Sequence, residues 1–196
     1  TRNTMDQLKV AMTFFLTMPG VPFIYYGDEI GMKYQMNLPT KEGSNERAGT
    51  RTPMQWAAGP TAGFSTCEPA QLYFPVDTED GKLTVEAQEK DPNSLLNFTR
   101  ELVRLRHAHS ALHGNGEWEL VSKESQPYPM VYKRTAGGET VVVAINPSAR
   151  KVSARIPHLG KARPLSMTGE ATYKTGGKGD VINLKAISAA VFKIIE

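Results

Sequence analysis

The sequence predicts two fold classes in one chain: the end of a parallel α/β structure, followed by an all-β antiparallel domain. A helical pattern over residues 5–18 leads through Pro19-Gly20 into a short apolar segment, residues 23–26, without polar alternation. Such a segment is typical of a strand that is buried on both faces of a parallel sheet. After Gly116 the apolar period changes from about 3.6 residues to about 2, which predicts a series of short antiparallel strands.

The composition indicates an ordinary globular protein and excludes several classes of site. The 196 residues are 40% hydrophobic and 22% charged, with a net charge of +3. Because Lys and Arg are scattered, we expect neither nucleic acid nor an anionic membrane as a partner. Cys67 is the single cysteine and the four His lack ligand spacing, so we expect no disulfide within the chain, no metal and no cofactor. No apolar stretch is long enough to span a bilayer, and both a cytoplasmic and a periplasmic location stay open.

The first predicted helix begins after a cap at Asn3 or Thr4 and ends before Pro19-Gly20. Its apolar residues recur at spacings of three and four, which predicts one buried stripe. The stripe consists of Met5, Leu8, Met12, Phe15 and Leu16. The apolar segment that follows ends at Gly27, and the acidic pair Asp28 and Glu29 comes next.

A long segment, residues 27–90, is rich in Gly, Pro, Thr, Ser and Asn but also carries aromatic residues. Loops of this length are uncommon and often functional, so we predict a folded, functional loop. Asp91 and Pro92 then predict the start of a second helix, which ends near Leu112. Six strands are predicted beyond it: residues 118–121, 130–134, 140–145, 152–156, 181–184 and 189–195.

Three collinear segments resemble one known family. They are MTFFLTMPGVPFIYYGDEIGM (12–32), RTPMQWAAGPTAGFS (51–65) and DPNSLLNFTRELVRLRHAHSAL (91–112). Together they resemble the C-terminal part of an enzyme of the α-amylase superfamily, glycoside hydrolase family 13. The resemblance points in particular to its α-glucosidase, oligo-1,6-glucosidase and trehalose synthase branches.

The resemblance implies a fragment of a (β/α)8 TIM barrel followed by an all-β antiparallel sandwich domain. Residues 5–18 would be the seventh helix, residues 21–26 the eighth strand and residues 91–112 the eighth helix, with the long loop between the last two. We expect a barrel portion over residues 1–113 and the sandwich domain over residues 114–196. The missing barrel portion, or another copy of the chain, is expected to pack on residues 1–30, because their apolar side chains would otherwise stay exposed.

The function that the resemblance implies is retaining hydrolysis of α-linked glucosides, or transfer of their glucosyl unit, with a disaccharide or oligosaccharide as substrate. The family's catalytic carboxylates would lie upstream of Thr1, so no catalytic residue is assigned and the chain alone is expected to be inactive. Two alternatives stay open: a non-catalytic amylase-like protein, and a carbohydrate-binding or interaction module made of the β domain.

Two residues are the candidates for substrate binding. Arg51 resembles the arginine that in this family reaches the glucose pocket, and its planar donors suit vicinal hydroxyls; bracing of its own loop is the alternative. Glu29, and less strongly Asp28, would be a rim carboxylate or a loop acid held by backbone donors. Met54 and Trp56 are predicted to pack beneath the loop.

Other positions in these motifs are assigned to the surface or left open. Arg47 is predicted to be solvated or to brace its loop, Arg106 to lie on the surface of the second helix, and His109 at its end. Ala57 stands where similar oligo-1,6-glucosidases have an acid. The linkage specificity and the choice between hydrolysis and transfer therefore stay open.

Overall fold

The computed structural model describes residues 4–39, 41, 47–77 and 81–195, which form two compact units. One unit is Thr1–Pro22 with Thr99–Glu196, and the other is Phe23–Phe98. The helices of the described residues are α1 (Met5–Thr17), α2 (Val85–Lys90) and α3 (Leu95–Ala108). The strands are β1 (Glu117–Leu120), β2 (Met130–Ala136), β3 (Glu139–Asn146), β4 (Val152–Ile156), β5 (Lys161–Thr168), β6 (Ala171–Lys174), β7 (Asp180–Leu184) and β8 (Ser188–Ile195). None of these helices has the length and apolar character needed to cross a membrane.

The strands form two antiparallel sheets, which confirms the predicted all-β domain. The larger sheet has the order β1-β2-β3-β8-β5, and the smaller has the order β4-β7-β6. Strands β5 and β6 were not predicted. The sequence of β5 contains Pro164, which argues against a strand, but β5 is an edge strand with an irregularity between Pro164 and Ser166.

The central strands of the larger sheet, β2, β3 and β8, are buried on both faces. One face packs on the smaller sheet through Val142, Ala144 and Phe192. The other face, with Val141, Val143 and Val191, packs on Val10 of α1 and on the 3-10 turn Ser110–Leu112. Burial on both faces explains why β3 and β8 are apolar without alternation.

Helix α1 begins as predicted but buries a different face. Thr4 forms a capping box with Gln7, in which the Gln7 N–H donates to Thr4 Oγ1 at 3.3 Å; Asn3 lies outside the described residues. The predicted stripe is wrong for Met5 and Phe15, which are 38% and 39% exposed. The buried residues are Val10, Thr13, Leu16 and Thr17. The two threonines tolerate burial because each hydroxyl donates to the carbonyl oxygen four residues earlier, at 2.9 and 2.5 Å.

Two arginines bind the carbonyl oxygens at the end of α1. The predicted surface position of Arg106 is wrong, because its guanidinium donates three hydrogen bonds to this segment, and Arg134 in β2 is fully buried. A cation is favourable here because the last carbonyls of a helix have no partner within the helix. The acceptors of Arg106 are the carbonyl oxygens of Leu16 (2.8 Å), Met18 (2.8 Å) and Gly20 (2.6 Å), and Arg134 donates to that of Thr17.

The segment predicted as the eighth strand, residues 21–26, has no regular secondary structure. A strand requires a hydrogen-bonded neighbour, and the described residues supply no parallel strand beside this segment. Its apolar side chains are correspondingly exposed: 78% for Val21 and 86% for Phe23.

In the unit Phe23–Phe98, the start of α3 differs from the prediction. Asp91 does not cap the helix; its carboxylate accepts from the Asn93 N–H at 2.8 Å and shapes a turn. Ser94 is the cap, with Oγ accepting from the Asn97 N–H at 3.2 Å. The short helix α2, which was not predicted, precedes this turn, and Thr84 caps it.

Candidate functional site

One cavity of the unit Phe23–Phe98 brings both predicted binding residues together. Its volume is about 480 Å³, and both Arg51 and Glu29 line it. This size lies within the range of about 300–1,000 Å³ that is usual for small-molecule sites. All of the remaining lining is aromatic or apolar: Tyr26, Pro53, Met54, Trp56, Phe64, Tyr73 and Phe74.

Glu29 lies on a tight 3-10 turn, Asp28–Ile30, between two glycines with positive φ. Gly27 has φ +91°, and a Cβ there would lie 2.6 Å from the Met32 sulfur, so the turn requires glycine. The Gly27 N–H donates to Glu29 Oε2 at 2.7 Å. No described residue donates a hydrogen bond to the second carboxylate oxygen of Glu29, which leaves that oxygen available to a ligand.

Gln88 holds this turn in place from α2. Its side-chain Nε2 donates to the Ile30 carbonyl oxygen at 2.7 Å, and its Oε1 accepts from the Leu96 N–H at 3.0 Å. Gln88 is only 6% exposed, so both bonds lie in the interior of this unit. Gln88 could not be predicted, because a glutamine on a short helix has no signal in the sequence that distinguishes it from a solvated one.

The acidic residue Asp28 and the tyrosine pair beside it have structural contacts. Asp28 does not line the cavity, and its Oδ2 accepts from the Tyr25 N–H at 3.2 Å. The Tyr25 and Tyr26 rings contact each other at a tilt of 38°, with centroids 4.5 Å apart, and the Tyr26 hydroxyl donates to the Thr52 carbonyl oxygen at 3.1 Å. Partial burial and the neighbouring Tyr25 raise the pKa of Tyr26 to about 12, whereas the Arg51 charge acts in the opposite direction. Tyr26 is therefore a neutral wall of the cavity at physiological pH.

Arg51 follows a 3-10 turn, Ala48–Thr50, and its backbone N–H donates to the Ala48 carbonyl oxygen at 3.0 Å. The side chain is exposed. Within the described ranges, no residue accepts a hydrogen bond from its guanidinium. Among the described residues, Arg51 therefore has no contact through which it would brace its own loop, and its guanidinium N–H groups can donate to a ligand.

The segment from Arg51 to Trp56 is exposed at its two ends and buried at the four residues between them. Met54 packs in the interior with Ile30 and Leu96, as predicted. Gln55 is also buried, at 2% exposure, and its Nε2 donates to the Asp77 carbonyl oxygen at 3.1 Å. The prediction for Trp56 is wrong: its side chain is 51% exposed and lines the cavity.

Four aromatic residues line the cavity without having been predicted as site residues: Tyr26, Phe64, Tyr73 and Phe74. Tyr73 packs edge-on against Phe74, with centroids 4.8 Å apart and the rings at 81°. The signal that could have identified them is the presence of large aromatic side chains in a long Gly- and Pro-rich segment. Among the described residues, no group of three or more His, Cys, Asp or Glu is arranged to hold a metal ion.

Comparison with protein families matches both parts of the chain. Residues 1–115 match the model "Alpha amylase, catalytic domain", and residues 118–190 match "Maltogenic Amylase, C-terminal domain". Together they describe part of an amylase catalytic domain that is followed by a C-terminal all-β domain.

Similar proteins include a trehalose synthase/amylase TreS of Mycobacterium tuberculosis (strain ATCC 25618 / H37Rv), 32% identical over 185 residues and 90% of this chain. An oligo-1,6-glucosidase of Parageobacillus thermoglucosidasius is 29% identical over 78% of the chain. The chain spans 30% and 31% of the length of these two relatives.

Solved structures have the same fold. The trehalulose synthase MutB of Pseudomonas mesoacidophila MX-45 matches with a TM-score of 0.78 and 25% identity. A MutB mutant in complex with its substrate sucrose matches with a TM-score of 0.79 and 26% identity. Each match covers 96% of this chain and 38% of the neighbour.

Proposed function

Because this chain belongs to the α-amylase family, we propose that it forms the end of the catalytic domain and the C-terminal domain of an enzyme acting on α-linked glucosides. The enzyme is a retaining hydrolase or a transglucosidase, and this chain supplies one wall of its substrate site. The proposal is supported by relatives whose names are trehalose synthase and oligo-1,6-glucosidase, and by a neighbour that was crystallised with sucrose.

The observation that carries the proposal is the cavity lined by Arg51, Glu29 and five aromatic side chains. A sugar has hydroxyl groups around its edge and apolar C–H groups on its faces. The Arg51 guanidinium donates to hydroxyl oxygens, and the available oxygen of Glu29 accepts from hydroxyl groups. The site thus offers both hydrogen-bonding roles beside apolar walls, which suits a saccharide better than a charged metabolite.

The location of this cavity bears on the two alternatives. All its lining residues lie between Tyr26 and Phe74, outside the β-sandwich. A free-standing β module would not need them. A non-catalytic amylase-like protein would not need an Arg51 whose donors are without partners in the described part of the chain.

The remaining part of the catalytic domain is proposed as the partner that covers the outer face of α1. Phe14 and Phe15 are 37% and 39% exposed, and Val21 is 78% exposed. Burying a side chain of this size stabilises a protein by about 1.5–3 kcal/mol, so a large free-energy gain favours a covering surface. Another copy of the chain is the alternative partner, and measuring the oligomeric state by light scattering distinguishes the two.

Arg51→Ala tests the proposed function in an enzyme in which this chain completes the catalytic domain. We expect kcat/KM for an α-glucoside to fall by the equivalent of about 2–4 kcal/mol, because a charge-assisted bond to the substrate is lost. The melting temperature should change little, since the described residues accept no hydrogen bond from this side chain.

Arg47→Ala is the matched control, because Arg47 is exposed on the same loop but does not line the cavity. It should leave kcat/KM unchanged. If Arg51→Ala keeps kcat/KM within about twofold of the parent enzyme, the substrate contact is absent and the proposed role of Arg51 is wrong.

A further inference from the structure

We infer that Trp56 and Phe64 together form a stacking surface for one pyranose ring of the substrate, an inference that rests on the proposed function. Both side chains line the cavity, and about half of each is exposed: 51% for Trp56 and 53% for Phe64. Large aromatic side chains normally lose most of their exposure when a protein folds, so two that stay open on one cavity are available to a ligand.

A closed loop brings the two rings to the same cavity. The Ala62 carbonyl oxygen accepts from the N–H groups of both Trp56 (2.8 Å) and Ala57 (3.1 Å). Ala62 and Gly63 both have positive φ, at +50° and +67°, and these values reverse the chain. The backbone of Gly63 lies so close to Trp56 that an added Cβ would be 3.4 Å from the Trp56 Cβ.

The base of this loop is fixed by its neighbours in the unit. The Glu86 N–H at the start of α2 donates to the Trp56 carbonyl oxygen at 2.9 Å, and the Val85 N–H donates to that of Gln55 at 3.0 Å. The Phe64 N–H donates to the Thr61 carbonyl oxygen at 2.9 Å. A stacking surface held in this way loses little conformational entropy when the sugar binds.

The chemistry of the surface selects for the glucose configuration. An aromatic face carries negative charge density and attracts the slightly positive C–H groups of a sugar face. In an α-glucoside the axial anomeric oxygen stands on one face, and the opposite face presents only axial hydrogens. An α-mannoside carries an axial 2-hydroxyl on that opposite face, which prevents close stacking. We therefore expect the surface to prefer α-glucosides to α-mannosides.

The chain contains only two tryptophans, so intrinsic fluorescence gives a direct test. In Trp118→Phe, the remaining reporter is Trp56; the substitution keeps a ring beside Tyr132, whose centroid lies 6.0 Å from that of Trp118. Methyl α-glucopyranoside should shift the Trp56 emission and reduce acrylamide quenching to about half, because a stacked ring covers one of the two indole faces. Methyl α-mannopyranoside should have little effect.

The matched control is Trp56→Phe, in which Trp118 is the reporter and should not respond to either sugar. Phe64→Ala in the Trp118→Phe background should raise the sugar concentration needed for the Trp56 response about tenfold. Phe64→Tyr should leave that concentration unchanged. Circular dichroism of each variant shows whether it is folded.

Saturation-transfer NMR on the same samples reports sugar binding independently of Trp56. If the sugar binds but Trp56 does not respond, the inference is overturned and the proposed function stands. If neither signal is present, the inference is overturned, and Arg51→Ala in the completed enzyme decides the proposed function separately. An equal Trp56 response to the glucoside and the mannoside also overturns the inference. The axial 2-hydroxyl of the mannoside would then not interfere, so the sugar face opposite the anomeric oxygen would not lie against the indole.

Discussion

Removing the guanidinium of Arg134 should destabilise the unit that contains the β domain. The side chain is fully buried and donates four hydrogen bonds, all to backbone carbonyl oxygens. One acceptor is Thr17 at the end of α1. The other three lie before and within β1: His113 at 2.6 Å, Gly116 at 3.1 Å and Glu117 at 3.1 Å. Arg134 thereby joins the helix end to the entry of the first strand.

The expected magnitude follows from these bonds and from the cost of burying the charge. Each hydrogen bond to a charged group contributes about 1.5–3 kcal/mol, but the desolvation of a buried cation costs several kcal/mol. Burial accordingly lowers the pKa of Arg134, and the nearby Arg106 charge acts in the same direction. We expect Arg134→Met to lose about 3–5 kcal/mol, because four carbonyl oxygens lose their donor at about 1–3 kcal/mol each while the desolvation cost of the cation is removed. This is a large share of the roughly 5–15 kcal/mol of a whole domain.

The assay is urea unfolding followed by Trp118 emission in a Trp56→Phe background, because Trp118 is the register partner of Arg134 in the β1–β2 pair. Arg163→Met is the matched control, since Arg163 is exposed in β5. Arg134→Lys should be intermediate, because an ammonium group cannot reach four separate carbonyls. A difference between Arg134→Met and Arg163→Met of less than about 1 kcal/mol would refute this reasoning.

Three further predictions concern acid stability, the support of the site and activity. Burial alone would raise the pKa of Glu139, but hydrogen bonds from Lys193 and His109 outweigh it and lower the pKa from 4.5 to about 2. The stability that this carboxylate contributes is therefore present above about pH 5 and is lost as the pH falls towards 2, and urea unfolding of Glu139→Gln should show a flatter acid limb. Gln88→Ala should cost about 1–3 kcal/mol in urea unfolding, because the buried Ile30 carbonyl loses its donor, whereas an exposed glutamine substitution should cost almost nothing. The 196-residue chain alone should not release glucose from maltose, isomaltose, trehalose or a nitrophenyl α-glucoside. Retaining hydrolysis needs two carboxyl groups about 5–5.5 Å apart, and the catalytic pair is expected upstream of Thr1. Turnover that is lost when one of the chain's own acids is mutated would contradict this prediction.

Local patterns predicted six of the eight strands of the described chain, and all six have a sheet neighbour within it. Strand β3 contains the β-branched run of residues 140–143 and lies between β2 and β8 in one sheet. Residues 21–26 have an equally apolar pattern but no partner strand among the described residues, so they stay irregular. An apolar strand pattern indicates that the segment is buried in its native environment. The strand itself forms only where a neighbouring strand is present to share its backbone hydrogen bonds. The division at residues 113 and 114 stays a prediction.

Charged side chains that bind backbone carbonyls were the least predictable feature. Arg106 lies on a helix among other arginines, and its spacing alone indicates a solvated face. Its partners, and those of Arg134, are carbonyl oxygens, which every residue has and which therefore leave no trace in the sequence. These contacts depend on the packing of the α1 end near both α3 and β2, which are distant from it in sequence.

The cavity was predictable in part. Arg51 was proposed because its motif resembles one of a known family, and Glu29 because it belongs to the acidic pair that follows an apolar segment. Trp56 was expected to pack beneath the loop, because large aromatic residues are buried on average. Met54 and Gln55 already occupy the interior behind this segment, at 7% and 2% exposure. With both inner positions occupied, the indole has only the cavity side left. An aromatic residue beside two buried neighbours in a loop is thus a better candidate for ligand contact than its hydrophobicity alone suggests.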